Sequence, residues 1–285
     1  MSSFTQGLDI LLQLLRSLDR ENRPRVDQSI LDRIEALKIQ VGMPRSSDPD
    51  EQELVPTDSE LKVDPAEAQA FAATHDQGDQ EVRLAALREK VLVCTKCAHL
   101  VEFRHSVVFG VGNPSAELMF VGEAPGADED MRGEPFVGRA GELLTRIIET
   151  MGFTRSAVYI ANVLKCRPDM PEGSSGNRAP TPEEMQTCLP YLRAQIEIIQ
   201  PKVMVALGGV AMRGLFGTSE PMKSLRGRWH SFGDIPVMAT FHPSYLLRNQ
   251  ALSEKRKVWE DMLLVLERLQ APITQRQRNF FLTRS

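Results

Sequence analysis

Along the C-terminal two-thirds of the chain, short apolar runs rich in β-branched residues alternate with stretches of helical spacing. LMFVG (118–122), VYIANV (158–163), VMVALG (203–208) and VMATFHP (237–243) are predicted strands. Between them, GRAGELLTRIIETMG, TPEEMQTCLPYLRAQIEIIQP and GGVAMRGLFG carry helical periodicity or caps. Thr181 ahead of Pro182, with acids in the first turn, marks a helix start. Strand and helix in alternation predict an α/β domain whose mainly parallel, four-stranded sheet is covered on both faces. In such a domain ligands bind where strand ends run into loops. The first three runs reach Gly122, Asn162 and Gly208, and the fourth reaches His242 and Pro243, so the polar singularities gather at one edge.

The N-terminal third reads differently. Leu8, Leu11, Leu12, Leu15 and Leu18 share one helical face, and Ile30, Ile34, Leu37 and Val41 do so again after Pro24, which predicts short amphipathic helices over 1–41. Residues 42–80 are acidic, with Phe71 as the only aromatic, and are expected to form a disordered linker. The folded domain is placed at 81–270 and a C-terminal tail at 271–285. The apolar stripes of the N-terminal helices suggest docking to a partner protein or back onto the domain.

Composition narrows the class without naming it. The chain has 285 residues, 42% hydrophobic and 25% charged, which are ordinary globular values. No apolar run approaches the roughly 18 residues of a membrane span, and the first residues lack a basic leader, so a cytoplasmic protein is expected. No internal repeat or heptad pattern is found, and a monomer is expected. The net charge of −4 divides into −8 for residues 1–80 and +4 for 81–285. A basic body is compatible with a polyanionic partner and does not by itself require one.

The four cysteines, Cys94, Cys97, Cys166 and Cys188, form a C-x2-C pair and two distant members. In a cytoplasmic chain that spacing leaves an iron–sulfur cluster, a zinc site and unrelated core thiols open. Residues 122–141, GEAPGADEDMRGEPFVGRAG, place five Gly and two Pro between a strand and a helix. They make a shaped loop that matches no nucleotide-binding motif. FHPSYLLRN (241–249) sits at another strand end, where a lone His-Pro carries little weight.

Taken together, the pieces resemble the iron–sulfur uracil-DNA glycosylases, family 4 of the uracil-DNA glycosylase superfamily. GEAPG with ED and PFVGRAG resembles the first active-site motif, ANVLKCRP the Asn-bearing strand end, and FHPSYLLRN the second active-site motif, all in order between about Cys94 and Leu269. One departure is the segment between Cys166 and Arg178, RPDMPEGSSGN, which is longer than the compact turn typical of the family.

The resemblance implies a three-layer α/β/α sandwich, uracil-containing DNA as substrate, and hydrolysis of the N-glycosidic bond to leave an abasic site. It implies a 4Fe-4S cluster on Cys94, Cys97, Cys166 and Cys188. It makes Glu123 and His242 catalytic and assigns uracil binding to Glu123, Ala124, Pro125, Phe136, Asn162 and His242. Phe136 would stack on the base, Asn162 would read its edge, and His242 would donate to O2 as charge develops. Glu129 and Asn177 are supporting candidates; Glu129 and its neighbour Asp130 read equally as solvated loop acids. Leu246 or Leu247 would wedge into the emptied stack beside Arg248, and Lys165, Arg167, Arg178, Arg226 and Arg228 are candidates for phosphate contacts. A non-turnover uracil-capturing relative is the alternative. That subfamily has GEQPG and a His in a basic loop, where this chain has Ala124 and no His between Asn162 and Cys188.

Overall fold

The computed structural model describes residues 65–170 and 176–282, with side chains from residue 78 onward. They lie in one of the two units into which the chain divides, Val63–Ser285. The helices expected in 1–41, the acidic stretch 42–64, and residues 171–175 and 283–285 fall outside the described residues.

Six strands form one sheet: β1 (Val111–Gly112), β2 (Leu118–Gly122), β3 (Tyr159–Asn162), β4 (Val203–Leu207), β5 (Trp229–Phe232) and β6 (Ile235–Thr240). Their spatial order is β1-β3-β2-β4-β6-β5. The four apolar runs are the parallel centre, and β1 and β5 are antiparallel edges. The expected four-stranded parallel sheet is the centre of the observed one, to which two antiparallel edge strands are added. β1 is only two residues long, and β5 alternates exposed and half-buried positions instead of forming a buried run.

The helices are α1 (Pro65–Leu92), α2 (Ala98–Phe103), α3 (Ala127–Arg132), α4 (Arg139–Met151), α5 (Pro182–Ile199), α6 (Gly209–Phe216), α7 (Met222–Leu225), α8 (Pro243–Arg248), α9 (Leu252–Arg268) and α10 (Gln275–Arg278). Successive strand residues point to opposite faces, and the core divides accordingly. Met119 and Val121 join Leu192 and Ile196 of α5 and Met212 of α6 in one cluster, whereas Leu118 and Phe120 join Leu144 and Ile148 of α4 and Met262 and Leu266 of α9 in another. The result is the helix–sheet–helix sandwich. Burial of each such side chain contributes about 1.5–3 kcal/mol. The expected start of α5 is a capping box, in which the Thr181 hydroxyl accepts from the Glu184 N–H and the Glu184 carboxylate accepts from the Thr181 N–H.

α1 begins at Pro65, so residues 65–80 of the expected linker are helical. The alanines of PAEAQAFAA favour helix despite the poor core-forming composition, and farther along Leu84 and Val91 enter the α5 cluster. The tail folds back as well. Trp259 Nε1 donates to the Gln277 carbonyl at 2.6 Å, and the Phe280 ring meets Trp259 edge-on at 5.5 Å.

Candidate active site

Strand register builds the site. Gly122 is paired with Asn162 and Leu207 with Thr240, so the chain leaves β2, β3, β4 and β6 at one edge. From β2 the connections run to β3 on one side and to β4 and β6 on the other, which makes this edge a topological switch point. A cleft of about 520 Å³ opens there, lined among others by Glu123, Ala124, Pro125, Phe136, Asn162 and His242. All six residues expected to meet the base are thus brought together, and Glu129, Asn177 and Arg248 lie on the same wall.

Asn162 is 2% exposed, and its Oδ1 is buried without a hydrogen-bond partner. An unmet buried acceptor costs about 1–3 kcal/mol, and here it borders a cleft that a ligand can enter. Phe136 lies beside it on a backbone with φ 53°, which costs a non-glycine residue of order 1 kcal/mol. Two glycines make the arrangement possible. A Cβ on Gly122 would come within 2.3 Å of Asn162 Oδ1 and 2.5 Å of the Phe136 ring, and one on Gly141 would strike the Phe136 carbonyl at 1.9 Å. Arg155 adds a clamp by donating to the Pro135 carbonyl and to Thr145.

His242 caps α8, and its ring lies 5.6 Å from that of Phe136. Its Nδ1 accepts from the Ser244 N–H at 3.1 Å and lies 2.8 Å from the Ser244 hydroxyl. Because a backbone N–H can only donate, Nδ1 is the acceptor and the neutral ring carries its proton on Nε2. Burial, reinforced by the nearby positive charge of Arg248, pushes the imidazolium down to about 4. The ring is therefore a neutral donor at physiological pH. Ser244, which sets this tautomer, was not singled out from sequence, although a serine two residues after a strand-end histidine is the available signal.

Burial raises the Glu123 carboxyl above its ordinary range, against the opposing pull of Arg213. Glu129 is no free loop acid. Its Oε2 accepts from the Gly126 N–H and its Oε1 from the Val137 and Gly138 N–H groups, each at 3.0 Å, so it ties the GEAPG loop to the Phe136 turn. Asp130 is fully buried and accepts from the backbone N–H groups of His105 and Ser106. The solvated reading of both acids is corrected. A Cβ on Gly126 would lie 3.1 Å from the Asn177 amide, which puts Asn177 against this loop despite the longer segment before it.

On the outer rim the structure separates the two leucines. Leu246 is 5% exposed and packs with Phe241 and Val258 in the core, so it cannot wedge without unpacking α8. Leu247 is half-buried and Arg248 exposed. Of the candidate phosphate contacts, Lys165 is 1% exposed. Arg226 pairs with buried Asp261 at 2.6 Å, and Arg178 pairs with Glu184 at 2.6 Å and also with Asp169. Lys165 and Arg226 are corrected to internal partners, whereas Arg178, though ion-paired, lines the cleft. Arg228 is exposed, and Arg167 donates to the Gly176 carbonyl.

The four cysteines come from three elements. Cys94 and Cys97 lie in the turn from α1 into α2, Cys166 follows β3, and Cys188 is in α5. None is crosslinked, and all four border one small cavity with Leu100, Leu164 and Tyr191. Arg104 donates to Cys166 Sγ at 3.0 Å and the Lys165 N–H to Cys188 Sγ at 3.3 Å. Burial raises the Cys97, Cys166 and Cys188 thiols, Cys188 to about 11, against the opposing pull of Arg104 and Lys165; a bound metal would stabilise their thiolates. Among the described residues, the one trio of His, Cys, Asp or Glu ligand atoms within 4.8 Å of one another is His99, Asp169 and Glu184. No three of the four sulfurs all lie within 4.8 Å of one another. No helix among the described residues is long and apolar enough to cross a membrane.

Comparison with known proteins bears on this geometry. The family model described as "Uracil DNA glycosylase superfamily" matches residues 109–263, more than half of the chain. The chain is 46% identical over 188 residues to the type-4 uracil-DNA glycosylase of Thermotoga maritima, covering 64% of this chain and 93% of that one. It is 42% identical to the type-4 uracil-DNA glycosylase of Archaeoglobus fulgidus, covering 58% and 84%. The type-4 enzyme of Sulfurisphaera tokodaii is likewise 42% identical, over 62% of this chain and 80% of its own.

Proposed function

This chain belongs to the uracil-DNA glycosylase superfamily, among the type-4 enzymes, and on that footing we propose that its strand-end cleft excises uracil from DNA by hydrolysing the N-glycosidic bond. The observation that carries the reading is the buried, unpartnered Oδ1 of Asn162. It accepts from uracil N3–H while the amide nitrogen donates to O4. Cytosine offers the opposite pattern at both positions and leaves the buried amide unmatched.

The reaction needs the base out of the stack, because the target bond cannot be reached inside a duplex. Phe136 supplies the face on which the flipped base stacks, and Ala124 and Pro125 close the pocket around it. As the bond from C1′ to N1 lengthens, negative charge spreads onto uracil O2, and the neutral Nε2–H of His242 donates to it. A preorganised donor of this kind contributes about 10²–10³ in rate. Glu123, ionised, orients the attacking water and stabilises the cationic sugar; the C1′–N1 bond breaks with its electron pair leaving on uracil, water adds at C1′ and releases a proton to solvent, and the uracil anion takes one up from solvent. Glu129 acts through the loop it ties together, and Asn177 supports the same loop. On the DNA side, Leu247 fills the gap left by the base and Arg248 meets the strand.

Cys94, Cys97, Cys166 and Cys188 border one cavity, with Arg104 donating to Cys166 Sγ, and these four thiols would hold a 4Fe-4S cluster. Such a cluster supplies a covalent tie between the α1–α2 turn, the segment after β3 and α5, and the hydrolysis balances without electrons. The N-terminal helices, outside the described residues, are proposed to serve docking, and the protein to act as a cytoplasmic monomer.

The test is uracil release from a single-uracil oligonucleotide, single-stranded and duplex, scored by alkaline strand cleavage with a thymine control. Uracil-dependent cleavage is expected. Binding without cleavage by metal-replete protein would make the molecule a capture module instead.

A further inference from the structure

Lys165 is the one buried lysine among the described residues, 1% exposed, and nothing in the hydrolysis above uses it. Its Nζ donates to the backbone carbonyl of Asn162 at 2.9 Å and to Gln195 Oε1 of α5 at 2.5 Å. Gln195 is itself fully buried and held by two further contacts, donating from Nε2 to the Phe109 carbonyl at 2.9 Å and to the Tyr159 hydroxyl at 3.1 Å. Gly110 leaves space for this junction, since a Cβ there would lie 2.8 Å from the Tyr159 hydroxyl. On its main chain, Lys165 donates to Cys188 Sγ at 3.3 Å and precedes Cys166. One residue thus touches the strand end that carries the base-reading amide, the helix behind the sheet and the cysteine corner.

A buried ammonium is costly unless its donors are satisfied, so the position is not filler. Replacement by a hydrocarbon would leave the Asn162 carbonyl and the Gln195 amide oxygen facing apolar surroundings. The ammonium holds the peptide of Asn162 at the place where β3 ends, and the orientation of that peptide sets where Oδ1 points.

We propose that Lys165 is a positioning residue for base recognition, its ammonium fixing the Asn162 peptide against α5 so that the Asn162 amide meets the edge of uracil. This rests on the uracil-excising reading of the cleft. Residues 162–166 then run from the base-reading strand end to the cysteine corner, with Lys165 holding the strand end against α5.

The experiment uses the full chain with its metal retained and reads competitive inhibition by free uracil beside uracil release. Lys165→Met, nearly isosteric and unable to donate, is expected to raise the uracil inhibition constant and lower kcat/KM about tenfold. Visible absorbance per protein should match that of the parent. The discriminating arm is the cycle with Asn162→Ala. If Lys165 acts through Asn162, the double variant is no worse than Asn162→Ala alone, whereas a general packing role gives losses that multiply. Multiplying losses, or unchanged uracil inhibition in Lys165→Met, overturn the proposal. Should Lys165→Met lose its chromophore, Gln195→Met removes the ammonium's other acceptor and carries the same expectation and the same refutation. A parent protein that releases no uracil overturns the reading of the cleft itself, an outcome distinct from an active parent with an indifferent Lys165.

Discussion

The base cleft and the cysteine corner are linked by a short segment, Asn162 to Cys166, and they are built in opposite ways. The cleft is about 520 Å³, opens at the strand ends, and contains a buried acceptor with nothing to accept from. The corner is a cavity of about 20 Å³, closed by Leu100, Leu164 and Tyr191, whose sulfurs already receive hydrogen bonds from Arg104 and Lys165. One is shaped to admit and release a ligand, the other to keep one. A buried acceptor left open beside a cleft marks a place where a ligand can be received, and on the proposed reading the difference separates a turnover site from a structural one.

The sharpest way to break that comparison is a pair of variants. His242→Ala should lower single-turnover uracil release about 10²–10³-fold while visible absorbance and thermal midpoint stay close to the parent. Cys188→Ala should bleach the absorbance and lower the thermal midpoint. A His242→Ala protein that also loses its chromophore would join the two regions into one.

Next in size is Gly122→Ala, whose Cβ would drive Asn162 Oδ1 and the Phe136 ring apart. Release should fall about 10–10²-fold through misplaced recognition groups. The check is whether free uracil loses inhibitory strength in parallel.

The two leucines of α8 sharpen the comparison between core and rim. Leu246→Ala should destabilise by about 2–4 kcal/mol in denaturant titration, because it opens a cavity among Phe241 and Val258. Leu247→Ala should leave stability near the parent and slow release from duplex more than from single strands, since only the duplex needs the gap filled. Equal effects on both substrates would remove Leu247 as a wedge.

The smallest effect is the pH profile. On the proposed mechanism the working form has Glu123 ionised and His242 neutral, and both are lost as pH falls. Burial raises Glu123 above the usual carboxylate range, whereas His242 titrates at about 4. The acid limb of kcat/KM therefore belongs to Glu123 first, with no loss from either group as pH rises from neutral. Glu123→Gln should lower the rate and flatten that limb; an unchanged limb would assign it elsewhere.

The parallel strands were legible because each is a buried apolar run, and the site edge was legible because those runs stop at Gly122, Asn162, Gly208 and His242. What stayed hidden depended on contacts distant in sequence or on phase. β5 was missed although Gly233-Asp234 between short β-forming stretches is a hairpin signal. Leu246 and Leu247 could be told apart only once α8 had a phase relative to α9. The burial of Asp130 depends on the backbone of His105 and Ser106, some 25 residues earlier, and that of Lys165 on Gln195, 30 residues later. No spacing rule reports either. Residues 65–80 show the reverse error, since their composition argued against a core while their alanines still favoured helix.

The central claim is that the unpartnered Oδ1 of Asn162 awaits uracil N3–H, and it is tested most directly by competitive inhibition with free uracil against 3-deazauracil, in which that N–H is a C–H. The parent protein should bind 3-deazauracil at least about tenfold more weakly, and the gap should close in Asn162→Ala. Equal inhibition by the two bases in the parent protein would contradict it.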